Sequence, residues 1–494
     1  MLGIASVLSG RMLRRAALGL VSATIACTAC APVRPDRVEA AKQAPPALAP
    51  CMLEGVSEQA RCGAIRVPED PSYPQGRQLE IHFAILPAKG GDPMPDPIVP
   101  LLGGPGEDAI SDASVFADRF AALRDRRDLL LVDQRGTGRS APLYCDLHAG
   151  ADAATSLRHL FPAAGARHCL DASSVHADLR QYTYAHVAHD LEQVRRALGY
   201  GPLNLSGGSY GTRAALVYLR AYPRSVRTAY LGSVVPLDVA TPLTMARSAD
   251  AVRERVFRAC EGDAACSAAF PRLRHEFAAI DARLSAGEVR VELPAHAGTA
   301  TLTRGRVAEW FRARTYRPAD AAELPWLVHQ AYTGNWSPIV EGILEGARNS
   351  ASALDFGLFL AVTCREDVAF IDEPAIARET RGTFLGDYRV RQQQAACAGW
   401  PRDPLPEDYR AQVRTGIPTM FVSGDSDAAS PLWFTARVAP GFSDRVEIVA
   451  RHQGHTEWSP CIADRYERFV RSGATRGIDT TPCADRTRPP FRLH

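Results

Sequence analysis

Lysine is nearly missing from this 494-residue chain. Of its 57 basic residues only Lys42 and Lys89 are lysines, and the rest are arginines. Neither stands in the Gly-Lys-Ser/Thr context that a phosphate-cradling loop needs. A Schiff-base enzyme needs a buried lysine, whereas Lys42 lies in a Pro/Ala tail and Lys89 opens a Lys-Gly-Gly turn. The metalloprotease pattern HExxH is also absent, since His275-Glu276 has no second histidine four positions on. Charge of one sign is not in excess: 57 basic against 55 acidic residues leave a formal +2, too balanced for an electrostatic nucleic-acid binder. Kinase, lysine-dependent aldolase, zincin and nucleic-acid readings fall on these absences. With 46% hydrophobic and 23% charged residues the chain has the composition of a globular protein, not a disordered one.

No apolar run is long enough to span a bilayer well. The longest N-terminal one, Ala16 to Ala29, covers about 14 residues behind Arg11, Arg14 and Arg15, the layout of a secretory signal. Cys27 or Cys30, at its end, is a candidate lipidation cysteine, although neither has the usual Leu three residues earlier. Residues 31–50 are rich in Pro and Ala and read as a flexible tether. Ten further cysteines remain, an even set that in an exported chain suggests disulfides. Nearest-neighbour pairing (51–62, 145–169, 260–266, 364–397 and 461–483) is the simplest arrangement, and sequence alone does not fix it. No CxxC pair occurs among the ten, which argues against a zinc site.

Strand-like and helix-like segments alternate along the first half. Leu79 to Leu86, Ile98 to Leu102, Asp128 to Asp133, Leu203 to Leu205 and Thr228 to Leu231 read as strands. Val115 to Arg126, His186 to Leu198 and the segment through Tyr222 have helical spacing. Such alternation predicts an α/β fold built on a mostly parallel sheet with crossover helices. The pattern stops between about Pro236 and Pro404, a mostly helical stretch read as a lid. Strands at Pro418 to Val422 and Val446 to Val449, then a helix from Glu457 to Arg471, resume the sheet. The expected layout is a signal peptide over 1–30, the tether over 31–50, a sheet core over 51–235 and 406–494, and the lid over 236–405.

The chemistry follows from what sits at the strand ends. Gly207-Gly208-Ser209-Tyr210-Gly211 fits G-x-S-x-G between a strand and a helix, a turn so tight that small residues must flank the nucleophile. A serine needs a base and the base an orienting acid, in this arrangement in the chain order Ser, acid, His. Asp427, preferred over Asp425, and His455, preferred over His452, meet that order just beyond the last two strands. Gly103-Gly104-Pro105-Gly106 follows an early strand, where the amide of Gly104 is placed to join that of Tyr210 as oxyanion donors.

Together GGPG, DQRGTGRS, GGSYGTR, GDSD and the late Gly-His resemble the α/β-hydrolase exopeptidases of the prolyl aminopeptidase and tripeptidyl aminopeptidase group. The resemblance covers about residues 50–485 and is strongest to the secreted tripeptidyl-aminopeptidase-like branch. Prolyl aminopeptidases usually place His before GGPG, and Leu102 stands there in this chain. DQRGTGRS, Asp133 to Ser140, takes a loop-shaping role near the site. The resemblance implies an α/β-hydrolase fold with an inserted helical lid, a Ser209–His455–Asp427 triad, and no cofactor or metal. It also implies an acid two residues after a lid cysteine, here Glu366 after Cys364, to bind the substrate's amine. The expected protein is an exported aminopeptidase, periplasmic or extracellular, acting on peptides with a free N-terminus. The alternatives are a carboxylester or lactone hydrolase on the same triad and a non-catalytic exported binding protein.

Overall fold

A computed structural model describes residues 45–494 apart from 288, 295 and 296. The expected signal segment, with Cys27 and Cys30, lies outside the described residues. Eleven strands are described: β1 (Ala49–Cys51), β2 (Ala60–Pro68), β3 (Gln78–Leu86), β4 (Ile98–Leu101), β5 (Leu129–Val132), β6 (Leu203–Gly208), β7 (Val226–Gly232), β8 (Val289–Glu292), β9 (Thr299–Leu302), β10 (Thr419–Gly424) and β11 (Arg445–Ala450). Nine form one sheet in the order β1-β2-β3-β5-β4-β6-β7-β10-β11. Pairing is antiparallel from β1 through β3 to β5 and parallel from β5 to β11. This is the α/β-hydrolase arrangement, and the parallel half carries its helices on both faces.

Alternation along each central strand explains the layering. Leu130 and Val132 of β5 join one apolar cluster with Val187, Leu191 and Leu216, while Leu129 and Leu131 join another with Phe120, Met420 and Ile462. Strands buried on both faces are therefore continuous apolar runs, which is why DLLLVD was legible as one. The helix Tyr184–Ala197 buries Val187, Leu191 and Val194 on the stripe expected from spacing.

Three features differ from the sequence reading. The Pro/Ala-rich stretch ends not as a tether but as β1, tied to β2 in register and by the Cys51–Cys62 bridge. The helix expected over Val115 to Arg126 breaks into an α-helix, Ala113–Arg119, and a 3-10 turn, Ala121–Asp125. Within the mostly helical stretch β8 and β9 form a separate hairpin. That stretch has its own apolar cluster, including Phe257, Leu273, Phe311, Leu327 and Ile343. All five nearest-neighbour cysteine pairs are bridged. Among the described residues no helix is long and apolar enough to cross a membrane.

Candidate active site

Ser209, Asp427 and His455 each follow the C-terminal end of a parallel strand, β6, β10 and β11, on one sheet edge. Ser209 occupies the turn between β6 and the helix Gly211–Ala221 with φ +53°, a left-handed conformation that costs a non-glycine residue energy and projects its hydroxyl outward. Gly211 is obligatory there, because a Cβ on it would stand 1.9 Å from the Leu101 carbonyl oxygen.

The three side chains form one hydrogen-bonded line. His455 Nε2 lies 2.8 Å from Ser209 Oγ, and His455 Nδ1 lies 3.0 and 3.2 Å from the two Asp427 carboxylate oxygens. Asp427 is 2% exposed, and its Oδ1 also accepts the backbone N–H groups of Ala429 and Ser430 at 2.8 and 2.9 Å. Burial alone would push this carboxyl up, but the adjacent His455 ring and those hydrogen bonds outweigh it and hold the group below its ordinary value. Asp425 and His452, the weaker candidates, are brought to each other instead: Asp425 Oδ1 accepts the His452 N–H at 2.8 Å.

His455 is also held from the helical stretch. Its N–H donates to the Tyr316 carbonyl at 2.8 Å, and the two rings lie 5.2 Å apart. Gly454 makes this possible, since a Cβ there would fall 2.1 Å from the same carbonyl oxygen.

Gly104 and Tyr210 line the same cavity as Ser209, and neither amide donates a hydrogen bond among the described residues. The Gly103 amide is engaged, donating to Glu107 Oε2 at 3.0 Å. Tyr210 is fixed through its hydroxyl, which donates to Asp367 and lies 2.5 Å from Thr241 Oγ1. Asp367 in turn pairs at 3.0 Å with Arg213 of the GGSYGTR string. In DQRGTGRS, buried Arg135 grips Asp190 with two bonds of 2.6 and 2.7 Å, and Asp133 accepts the Ile110 and Arg139 amides, so the string shapes a loop.

A cavity of about 400 Å³ opens beside this line, lined by Ser209 and His455 from the sheet side and by Met245, Phe359, Arg389 and Gln393 from the helices. Glu366 is not brought to it. Its carboxylate is 1% exposed and sits behind the wall, where Oε1 accepts the Tyr184 N–H at 2.9 Å. Burial pushes that carboxyl up to about 7. The helix Phe356–Glu366 presents Phe359 and Thr363 to the cavity, and Glu366, on the same face but the last residue of the helix, reaches past it to the Tyr184 amide. Glu107 is the one carboxylate among the described lining residues. It was within reach of the sequence, directly after GGPG, but an acid after a turn carries no signal of its own. Arg389 and Gln393 were missed because polar residues on a helix read as solvent-facing, and Asp367, in the turn after the helix Phe356–Glu366, because a turn acid reads the same way.

No group of described His, Cys, Asp and Glu residues is arranged to hold a metal ion. Residues 96–275 match the family model described as alpha/beta hydrolase fold, and residues 382–483 match the one described as TAP-like protein. A tripeptidyl aminopeptidase of Streptomyces coelicolor is 24% identical, over 87% of this chain and 84% of its own. Serine protease Hip1 of Mycobacterium tuberculosis is 25% identical, over 75% of this chain and 77% of its own. Among solved structures, a proline iminopeptidase of Mycobacterium smegmatis is 15% identical with a TM-score of 0.39, covering 83% of this chain and 98% of its own.

Proposed function

The chain belongs to the α/β hydrolases, as a serine hydrolase with a TAP-like C-terminal part, and from that premise we propose that it is an exported aminopeptidase releasing N-terminal residues or short peptides. The observation that carries the reading is the unbroken line from Ser209 through His455 to Asp427, at 2.8 and 3.0 Å. Ser209 Oγ attacks the scissile carbonyl while His455 Nε2 takes its proton, and buried Asp427 fixes the ring and stabilises the imidazolium. The oxyanion is received by the free amides of Gly104 and Tyr210, donors each worth about 3 kcal/mol in related sites. His455 then returns the proton to the leaving amine and activates the water that releases the acyl group.

An aminopeptidase also needs a counter-charge for the substrate's ammonium. With Glu366 behind the wall, that role falls to Glu107, whose carboxylate lines the cavity beside Ser209. Export is supported by the arginine-led apolar N-terminus and by five disulfides. Lipid anchorage through Cys27 or Cys30 belongs to the same proposal, as does a helical lid over 236–405 that excludes long chains.

The second reading, a carboxylester or lactone hydrolase, gains weight from one observation: the acid expected to bind the amine is out of reach of the cavity. Matched fluorogenic aminoacyl, prolyl and tripeptidyl amides, each with a free and an acetylated N-terminus, decide between them alongside a short-chain ester. Turnover confined to free amines is the expected result. Ester cleavage without any amide turnover moves the enzyme to the esterases.

A further inference from the structure

The helical wall of the cavity holds polar atoms that the triad does not use. Arg389 and Gln393 stand four residues apart on the helix Tyr388–Ala396, so they share a face, and both line the cavity. Gln393 is 1% exposed, and neither its Nε2 nor its Oε1 has a hydrogen-bond partner among the described residues. Arg389 is also buried. One of its terminal nitrogens donates to Glu309 Oε1 at 2.9 Å, while its Nε is unpartnered. Behind this pair Glu309 is shared with Arg312 at 2.8 Å, and Arg306 is buried close by, its Nε donating to the Ser156 carbonyl. Three guanidiniums against one carboxylate leave this wall net positive.

A buried carboxamide with both ends unmet destabilises the folded protein, and a leucine of similar volume would remove the penalty. Its retention at a cavity wall is explained by a ligand that completes it. The free donors are Gln393 Nε2 and Arg389 Nε, and the free acceptor is Gln393 Oε1. Their complement is a group offering a carbonyl oxygen with an N–H beside it, which is an amide. A free ammonium is repelled by the positive field here, in keeping with its place at Glu107 on the sheet side. Resting on the aminopeptidase reading, we infer that Arg389 and Gln393 form a subsite for an amide group in the acyl part of the substrate, and so set which peptides this site prefers. The amide comes either from the backbone, in a substrate with at least two residues before the scissile bond, or from an Asn or Gln side chain next to it.

The test compares the wild-type enzyme with Gln393→Leu and Gln393→Glu on the aminomethylcoumarin amides of Ala, Ala-Ala-Ala and Gln. The expected result is that kcat/KM for one amide-bearing substrate, divided by that for Ala, falls about 10- to 100-fold in the leucine variant. Loss on Ala-Ala-Ala identifies a backbone amide, and loss on Gln identifies a side chain. Gln393→Glu keeps the acceptor but not the donor and recovers part of the quotient. The melting temperature of Gln393→Leu stays level or rises, whereas a structural role lowers it. A uniform loss on all three substrates, or none, overturns the subsite. If the wild-type enzyme cleaves esters and no amide, it is the aminopeptidase reading that fails. N-acetylglycyl and butyryl nitrophenyl esters then replace the amides, and an unchanged quotient between them overturns the subsite independently.

Discussion

The two walls of the cavity are built on opposite rules. On the sheet side the reacting groups satisfy one another: Asp427 accepts from His455, Ala429 and Ser430, and His455 reaches Ser209. On the helical side the polar groups are left incomplete, with Gln393 bonded to nothing by its side chain among the described residues. The sheet wall is ready to react with any acyl group that arrives. The helical wall is ready to be finished by a particular one. On the proposed reading, generic chemistry and substrate choice are carried by different parts of the chain, and each can be damaged without the other.

The largest expected effect falls on the sheet wall. Ser209→Ala should lower kcat by roughly 10⁶-fold and abolish labelling by a serine-reactive phosphonate, with folding retained. Retained turnover would remove Ser209 from the mechanism. Asp427→Asn keeps the shape but leaves the ring in the wrong tautomer, for a loss of about 10⁴-fold in kcat. A loss carried by KM alone would show that Asp427 does not orient the base.

Damage to the helical side should appear first as stability. The Cys364–Cys397 bridge closes a 33-residue span through the helices behind the cavity, and replacing both with Ser should cost about 3–4 kcal/mol in a denaturant titration under oxidising conditions. An unchanged midpoint would mean the packing of these helices alone holds the wall. Glu366 gives a smaller, pH-dependent effect. Its carboxyl titrates near 7 in the folded protein, against 4.5 unfolded, because burial disfavours the charge. The folded state therefore binds the extra proton between those values, and stability falls as pH rises through 7. The full difference is roughly 3 kcal/mol, present below pH 4.5 and lost above 8. Glu366→Gln should flatten the stability profile between pH 5 and 8, and a variant with the original slope would place the titrating group elsewhere.

What sequence revealed follows the same division. The strand ends carry glycine-flanked turns whose geometry admits few residue types, so Ser209, Asp427, His455 and Gly104 could be named from short strings. The helical wall has no such turn. Glu366 was chosen because it follows a cysteine by two residues; it shares a helix face with Phe359 and Thr363, but as the last residue of the helix it meets the Tyr184 amide behind the wall and leaves those two at the cavity. Arg389 and Gln393 sit in Tyr-Arg-Val-Arg-Gln-Gln-Gln, a string as polar as any exposed helix, and only tertiary packing buries these two polar side chains beside Val390. β1 was read as tether because its alanine and proline have low strand propensity, and pairing with β2 overrode it.

The bond from the His455 amide to the Tyr316 carbonyl has a mechanical consequence. Were the helices to swing away from the sheet to admit substrate, they would pull on the loop that carries the base, or release it. The position of the base and that of the helical stretch are thus coupled through one backbone hydrogen bond.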